Sequence, residues 1–268
     1  MAKIIPLFSG SKGNSYYIGS GAGGVLVDAG RSCKQIENAL ADNNIDIKKI
    51  KGVFITHEHK DHCSGLRVLV KKNNIPVYAT EGTMNGLING KCLEANAVTN
   101  VINGPVELDG QVELDDMMIE SFPSMHDANE PCCYKITTSD GRKAMIATDL
   151  GVMTDVIRDA FYGVDALVLE SNHDVNMLKN GIYPYYLKER ILSKYGHLSN
   201  ESCASELPEI IKNGTMRVVL GHLSQENNMP SLAIKESVDY LSSMGYKRDY
   251  DYTLDVAPVE NNGKVILF

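Results

Sequence analysis

Short apolar runs separated by polar turns set the character of this chain, and none approaches the roughly 18 residues that a membrane helix needs. "NSYYIGS", a Gly-rich turn and "GVLVDAG" read as a hairpin near the start. Strands and helices then alternate. "GVFITH" (52–57) predicts a strand, followed by a helix around 63–73 with Leu66, Leu69 and Val70 at helical spacing. "KAMIATDLG" (143–151) predicts a strand ahead of a short helix carrying Val156, Ile157, Ala160 and Phe161. "DALVLES" (165–171) is a strand leading into a Tyr-rich helical stretch. "MRVVLGH" (216–222) is a strand before a helix from about 231, with Ile234, Val238 and Leu241 on one face, Ser231 as N-cap and Gly245 as its stop. His57, Asp149 and His222 fall at or just beyond the C-terminal ends of these strands, and Glu170 near the end of a fourth. In α/β sheets, ligands bind in the crevice beyond the carboxyl ends of strands, so the chemistry gathers at one sheet edge.

No low-complexity tract, solenoid-period repeat or linker interrupts the pattern, so the economical reading is a single domain over residues 1–268. A hydrophobic fraction of 43% and a charged fraction of 22% are those of an ordinary soluble protein. The opening "MAKIIPLFSGSKGNS" lacks the parts of a signal peptide, which points to a cytoplasmic protein with no membrane role. Six cysteines without C-x-x-C spacing read as buried reduced thiols. The net charge of −8 argues against a nonspecific nucleic-acid binder, yet two divalent ions would bring it to −4 with all the added charge in one place. The oligomeric state is not encoded in any motif.

"THEHKDHCSG" (56–65) changes the picture. Residues two apart in extended chain face the same way, so His57 and His59 can grip one ion together. Asp61 and His62 follow as the chain turns into a helix, where they can aim at a second ion. Imidazole and carboxylate without thiolate suit zinc or manganese, with iron also compatible. The bland reading, a solvated polar turn, does not explain H-x-H-x-D-H.

With this motif the sequence resembles the metallo-β-lactamase-fold hydrolases. The resemblance implies a four-layer αββα sandwich of the α/β class and two divalent ions. It carries His126, in "PSMHDA", onto the third histidine of the first ion, Asp149 onto the bridging aspartate, and Asp28 onto the buried aspartate behind the site. "LVLESNHD", "GHLSN" and "LGHLSQENN", with "SGSKGNS" at the start, are similar to the bacterial YycJ/WalJ-type subgroup, 5′→3′ exonucleases of double-stranded DNA. The two Gly-His-Leu-Ser copies part by context. His222 follows a strand and matches the last ligand of the second ion, beside Asp61 and His62. His197 opens a helix, with Ser199 or Asn200 as cap, and matches a proton donor whose acidic partner maps onto Glu170.

The reading that results is metal-dependent phosphodiester hydrolysis of nucleic acid, with DNA the expected substrate. Hydroxide held between the ions attacks phosphorus, Asp61 serves the reacting site, and His197 is the general acid. The competing reading keeps the metals and takes a small thioester, lactone or β-lactam. For substrate contacts, "YPYYLKERILSKY" (183–195) interleaves tyrosines with Lys188, Arg190 and Lys194, as stacking and phosphate neutralisation require; an amphipathic helix with its tyrosines in the core is the plainer alternative. Ser11 and Asn14 are candidate phosphate contacts, although a plain turn explains them equally and the spacing is not that of a nucleotide-triphosphate loop. His173, in "SNHD", either touches phosphate or orders its loop.

Overall fold

In the strand Ala166–Glu170 (ALVLE) every residue is buried, so the strand requires cover on both faces. The same holds for Gly24–Val27 (GVLV). Strands of this kind force a layered architecture with a sheet against a sheet on one side and helices on the other. The computed structural model, which describes residues 1–20, 23–102 and 110–268, has that architecture. Part of the Gly-rich turn expected in the first hairpin, residues 21–22, lies outside the described residues.

The first part of the chain runs β1 (Lys3–Phe8), β2 (Ser15–Gly19), β3 (Gly24–Val27), α1 (Cys33–Asp42), β4 (Ile50–Phe54), α2 (Lys60–Cys63), α3 (Leu66–Asn73), β5 (Val77–Ala79), α4 (Glu81–Asn89) and β6 (Thr99–Val101). The second part opens with β7 (Gln111–Leu114), β8 (Met117–Pro123), β9 (Cys132–Thr137), β10 (Lys143–Ala147), α5 (Asp155–Ala160) and β11 (Ala166–Glu170). It closes with α6 (Val175–Asn180), α7 (Tyr185–Leu192), α8 (Asn200–Lys212), β12 (Arg217–Gly221), α9 (Pro230–Ser243), β13 (Thr253–Val256) and β14 (Ile266–Leu267). Among the described residues the strands form two seven-stranded sheets, in the orders β14-β1-β2-β3-β4-β5-β6 and β13-β12-β11-β10-β9-β8-β7. Neighbours from β3 to β6 are parallel, as are neighbours from β10 to β13.

Alternation along each strand divides the core into three layers of side chains. Val25 and Val27 from one sheet meet Ala166 and Val168 from the other between the sheets. Leu26 faces outward to Ile36, Leu40, Leu66 and Leu69 of α1 and α3. Leu167 and Leu169 face the opposite way, to Leu207, Ile210 and Leu241 of α8 and α9. The result is an αββα sandwich. Phe54 ties the sheets together, stacked on Tyr78 at 4.6 Å and edge-on to Tyr134 at 5.4 Å, while the Tyr134 hydroxyl donates to the Ile55 carbonyl. Phe54→Ala should therefore cost about 3–5 kcal/mol, read as a lowered urea midpoint in equilibrium unfolding. A loss under 1 kcal/mol would show that this aromatic cluster does not hold the sheets.

Two local readings are corrected by the structure. The single helix predicted over 63–73 starts earlier and breaks, because Gly65 packs its backbone against the loop after β3; a Cβ there would lie 1.8 Å from the Arg31 carbonyl oxygen. Ser231 is not the N-cap of α9: Pro230 occupies the first turn, where a missing N–H costs nothing, and Met229 holds the cap position. Gly245 does end that helix, at φ 89°. All six cysteines are buried and unpaired. No helix among the described residues is long and apolar enough to cross a membrane.

Candidate active site

The parallel strands of both sheets deliver their C-terminal ends to one edge. Asp28 follows β3, His57 the end of β4, Asp149 β10 and His222 β12, and Glu170 is the last residue of β11. Asp28, Asp149 and His222 take left-handed backbone angles, with φ of 64°, 59° and 54°. Non-glycine residues there are strained, Asp and His less than most, and such strain collects at functional sites. Each turn throws its side chain back over the sheet edge. The His222 turn is held by its own N–H, which donates to Ser9 Oγ at 2.8 Å; that oxygen also bonds the Tyr16 hydroxyl at 2.9 Å.

Two ligand groups emerge. In each, the candidate atoms lie within 4.8 Å of one another: His57, His59 and His126 in one, Asp61, His62 and His222 in the other. Asp149 stands between them, with Oδ2 3.2 Å from His62 Nε2 and Oδ1 3.8 Å from His126 Nε2. The far side of three of these rings is fixed. His126 Nδ1 bonds the Gly196 carbonyl at 3.0 Å, His62 Nδ1 the Asp28 carboxylate at 2.7 Å and His222 Nδ1 Glu170 Oε1 at 2.8 Å. A hydrogen-bonded outer nitrogen sets the tautomer and leaves the inner one as a ligand. Asp28 is itself anchored by the backbone N–H and hydroxyl of Thr56.

The electrostatics of the two groups differ. Burial, reinforced by His62, His126 and His59, pushes the His57 imidazole well below its usual range, and burial lowers His126 also. Both are neutral, with lone pairs available. At His62 burial acts downward too, but Asp149, Asp28 and Asp61 outweigh it and hold the ring protonated; at His222 the same balance, led by Asp149, lifts it to about 10. These two imidazolium protons compensate Asp61 and Asp149, whose carboxyls, pushed up by burial, are drawn below the usual range by the histidines.

This donor set fits divalent cations. His57 Nε2, His222 Nε2 and Asp149 Oδ2 are buried without a hydrogen-bond partner, which is costly for a polar atom unless something else meets it. A cation at the second group would take the place of the imidazolium protons, as metal binding commonly does. A further grouping of Asp149, Glu170, His197 and His222 is geometrically close, yet Glu170 Oε1 is already bonded to His197 Nδ1 at 2.9 Å and His222 Nδ1 at 2.8 Å, so three of its four residues are paired with one another.

Glu170 is fully buried, and its Oε2 accepts from the backbone N–H groups of Leu150 and Leu198. Burial raises its carboxyl, but His197 and His222 together hold it well below the ordinary range. Both Gly-His-Leu-Ser histidines thus converge on one carboxylate oxygen. His197 lines the open cleft with its Nε2 unassigned, ahead of α8, whose cap is Ser199.

The expected substrate contacts divide. Ser11 is exposed and Arg190 reaches the same cleft, as does Tyr183. Asn14 is fully buried; its amide bonds Gly10 and lies 3.0 Å from His62 Nε2, so it braces the site instead of meeting substrate. Lys188 is also corrected: its ammonium donates to the carbonyls of Lys179 and Gly181, at 2.8 and 2.7 Å, closing the α6–α7 loop. Tyr185 and Tyr186 belong to neither core nor cleft floor, being 76% and 74% exposed.

His173 is 1% exposed, so its ring does not touch phosphate, and neither nitrogen has a hydrogen-bond partner. Burial lowers its pKa from 6.5 to about 4. Between those values the unfolded chain binds a proton that the folded chain refuses, so the neutral ring's contribution is present above pH 6.5 and is lost on acidification towards 4. His173→Phe should flatten the acid loss of stability by up to about 3 kcal/mol in urea melts between neutral and acid pH. Parallel acid curves for the two proteins would disprove this.

Several site residues carried no motif strong enough to single them out. Asp127 clasps Arg190 and lies 3.3 Å from His126 Nε2. Asn172 holds the His222 carbonyl, and Asn228 bonds Asn200 and the carbonyls of Ser171 and Asn172, tying the loops after β11 and β12 to the start of α8. Their only signal was the recurrence of Ser-Asn and Asn-Asn beside the histidines.

Several known proteins are similar to this chain in sequence or in fold. The beta-lactamase superfamily domain family matches residues 24–223. Exodeoxyribonuclease YycJ of Bacillus anthracis is 39% identical over 90% of this chain and 89% of its own. Exodeoxyribonuclease WalJ of Streptococcus pneumoniae is 37% identical over 94% and 93%. Among solved structures, the metallo-beta-lactamase fold protein YhfI from Bacillus subtilis superposes with a TM-score of 0.71 at 16% identity, covering both chains completely. The short form of human tRNase Z gives 0.66 at 17% identity over 99% and 98% of the two chains. Fold, ligand groups and full-length similarity converge: the chain belongs to the metallo-β-lactamase superfamily and, within it, to the YycJ/WalJ-type subgroup.

Proposed function

We propose that this chain, as a single domain over residues 1–268, is a cytoplasmic metal-dependent exonuclease that hydrolyses DNA from the 5′ end. The observation that carries the reading is the Glu170–His197 pair, 2.9 Å apart, set beside two groups of side chains able to hold a cation at the floor of an open cleft. Both curated relatives described above are named exodeoxyribonucleases, which disfavours a small thioester, lactone or β-lactam substrate.

His57, His59 and His126 would hold one divalent ion and Asp61, His62 and His222 the other, with Asp149 shared. Zinc or manganese suits these nitrogen and oxygen donors. Bound there, the ions supply an acidified water and positive charge facing the phosphodiester oxygens. The protein supplies the rest. Asp28 and Glu170 hold the rings of His62 and His222 so that their inner nitrogens keep one direction. Ser11 and Arg190 border the cleft where a phosphate would enter. His197, held at Nδ1 by Glu170, presents Nε2 to the departing oxygen and gives it a proton.

The test is incubation of metal-loaded protein with end-labelled DNA and RNA, duplex and single-stranded. Mononucleotides released stepwise from the 5′ end of DNA support the reading. Intact DNA alongside turnover of a thioester would overturn it, and dialysis against chelator should abolish cleavage until zinc or manganese is returned.

A further inference from the structure

The nuclease reading leaves one flank of α7 without a role. At about 100° per residue, Leu187, Arg190 and Ile191 turn one face of this helix to the cleft, and Tyr183 joins them just ahead of it. Tyr186 is four residues before Arg190 and stands beside it, one turn nearer the helix start. Tyr186 is 74% exposed, next to an Arg190 side chain that is 47% exposed. Tyr185 is as exposed but occupies roughly the opposite side of the helix from Leu187.

The cations of the same stretch are engaged. Lys188 is spent on two carbonyls, Lys194 lies over the Tyr195 ring at 5.1 Å, and Arg190 clasps Asp127. What this rim offers a nucleic acid is an exposed aromatic ring beside a half-exposed guanidinium that Asp127 holds in place. That combination matches a base joined to its phosphate, since stacking on an aromatic face is strong and indifferent to sequence.

We propose that Tyr186 is a stacking platform at the cleft mouth for the terminal nucleobase of the substrate strand, with Arg190 alongside its phosphate. This rests on the nuclease reading and adds a base-binding site to it. Stacking on an aromatic side chain corresponds to a loss of about 5- to 150-fold when the ring is removed.

The experiment compares DNA carrying a normal terminal nucleotide with DNA ending in an abasic residue, for the metal-loaded wild type and three variants. Tyr186→Ala should lower kcat/KM on normal DNA by about ten-fold, within the stacking range, and Tyr186→Phe should restore it. On the abasic end, wild type and Tyr186→Ala should be equal. Tyr185→Ala, on the far side of the helix, should match wild type on both. A terminal 2-aminopurine gives a binding readout without cleavage, quenched by chelator-treated wild type and not by Tyr186→Ala. Normal cleavage without dependence on the terminal base, or an equal loss on both ends, overturns the base site alone. DNA that is quenched but never cut overturns the nuclease reading and keeps the base site. DNA neither quenched nor cut overturns both.

Discussion

His197→Ala should slow DNA hydrolysis by about 10² to 10⁴-fold while keeping both ions, whereas His222→Ala should abolish it by emptying one ion site. The two histidines begin from the same tetrapeptide and even share a partner, since both Nδ1 atoms bond Glu170 Oε1. Both therefore turn Nδ1 to that oxygen, and their roles differ only in what Nε2 faces. His222 Nε2 is buried, lies 3.5 Å from Asp61 Oδ2 and has no hydrogen-bond partner, as a cation ligand would. His197 borders the cleft, so its Nε2 meets what enters from solvent. A proton donor matters in proportion to how poor the leaving group is. The His197→Ala defect should accordingly shrink on a diester with a p-nitrophenol leaving group, while the His222→Ala defect should not. Metal analysis after gel filtration checks occupancy. An ion lost in His197→Ala, or an equal defect on both diesters, would end this division of labour.

The cluster of candidate ligands was legible because H-x-H-x-D-H condenses it into six residues after a strand with clear apolar content. The strand order was not legible, since register and neighbours depend on contacts between distant segments such as β1 with β14. Substrate contacts were read least well, for a physical reason. Lys188 and Arg190 are equivalent as charges in sequence, and only the path of the α6–α7 loop decides that Lys188 is consumed by carbonyls. Asn14 looked like a phosphate contact because it sits in a glycine-rich turn. The fold instead buries Asn14 beneath Asp61, where Gly30 allows an approach that any Cβ would block, at 1.7 Å from the Asp61 carbonyl oxygen. The Ser9–Tyr16 support of the His222 turn spans 213 positions in sequence, so no local pattern announces it.

Glu170→Gln should be more damaging than its single-atom change suggests, because it strikes both histidines at once. The carboxylate accepts on both sides: Oε2 from the backbone N–H groups of Leu150 and Leu198 at 2.7 and 3.1 Å, Oε1 from two imidazoles. A glutamine has one oxygen. The two backbone donors cannot rotate away, so the oxygen turns to them and the NH₂ group faces His197 and His222. Each ring then meets a donor at Nδ1 and must move its proton to Nε2. For His222 that occupies the nitrogen an ion needs, and loss of such an outer partner typically weakens metal affinity 10–100-fold. For His197 it removes the acceptor that holds Nδ1 and turns Nε2 towards the cleft. The variant should hold about one ion per chain at limiting metal, and excess metal should restore occupancy without restoring turnover. Turnover should stay at least as low as in His197→Ala, about 10² to 10⁴-fold down. The fold should survive, since an imperfectly paired buried amide costs about 1–3 kcal/mol. Full activity on metal saturation would mean that Glu170 acts on His222 alone, and unchanged metal affinity would mean that it acts on His197 alone.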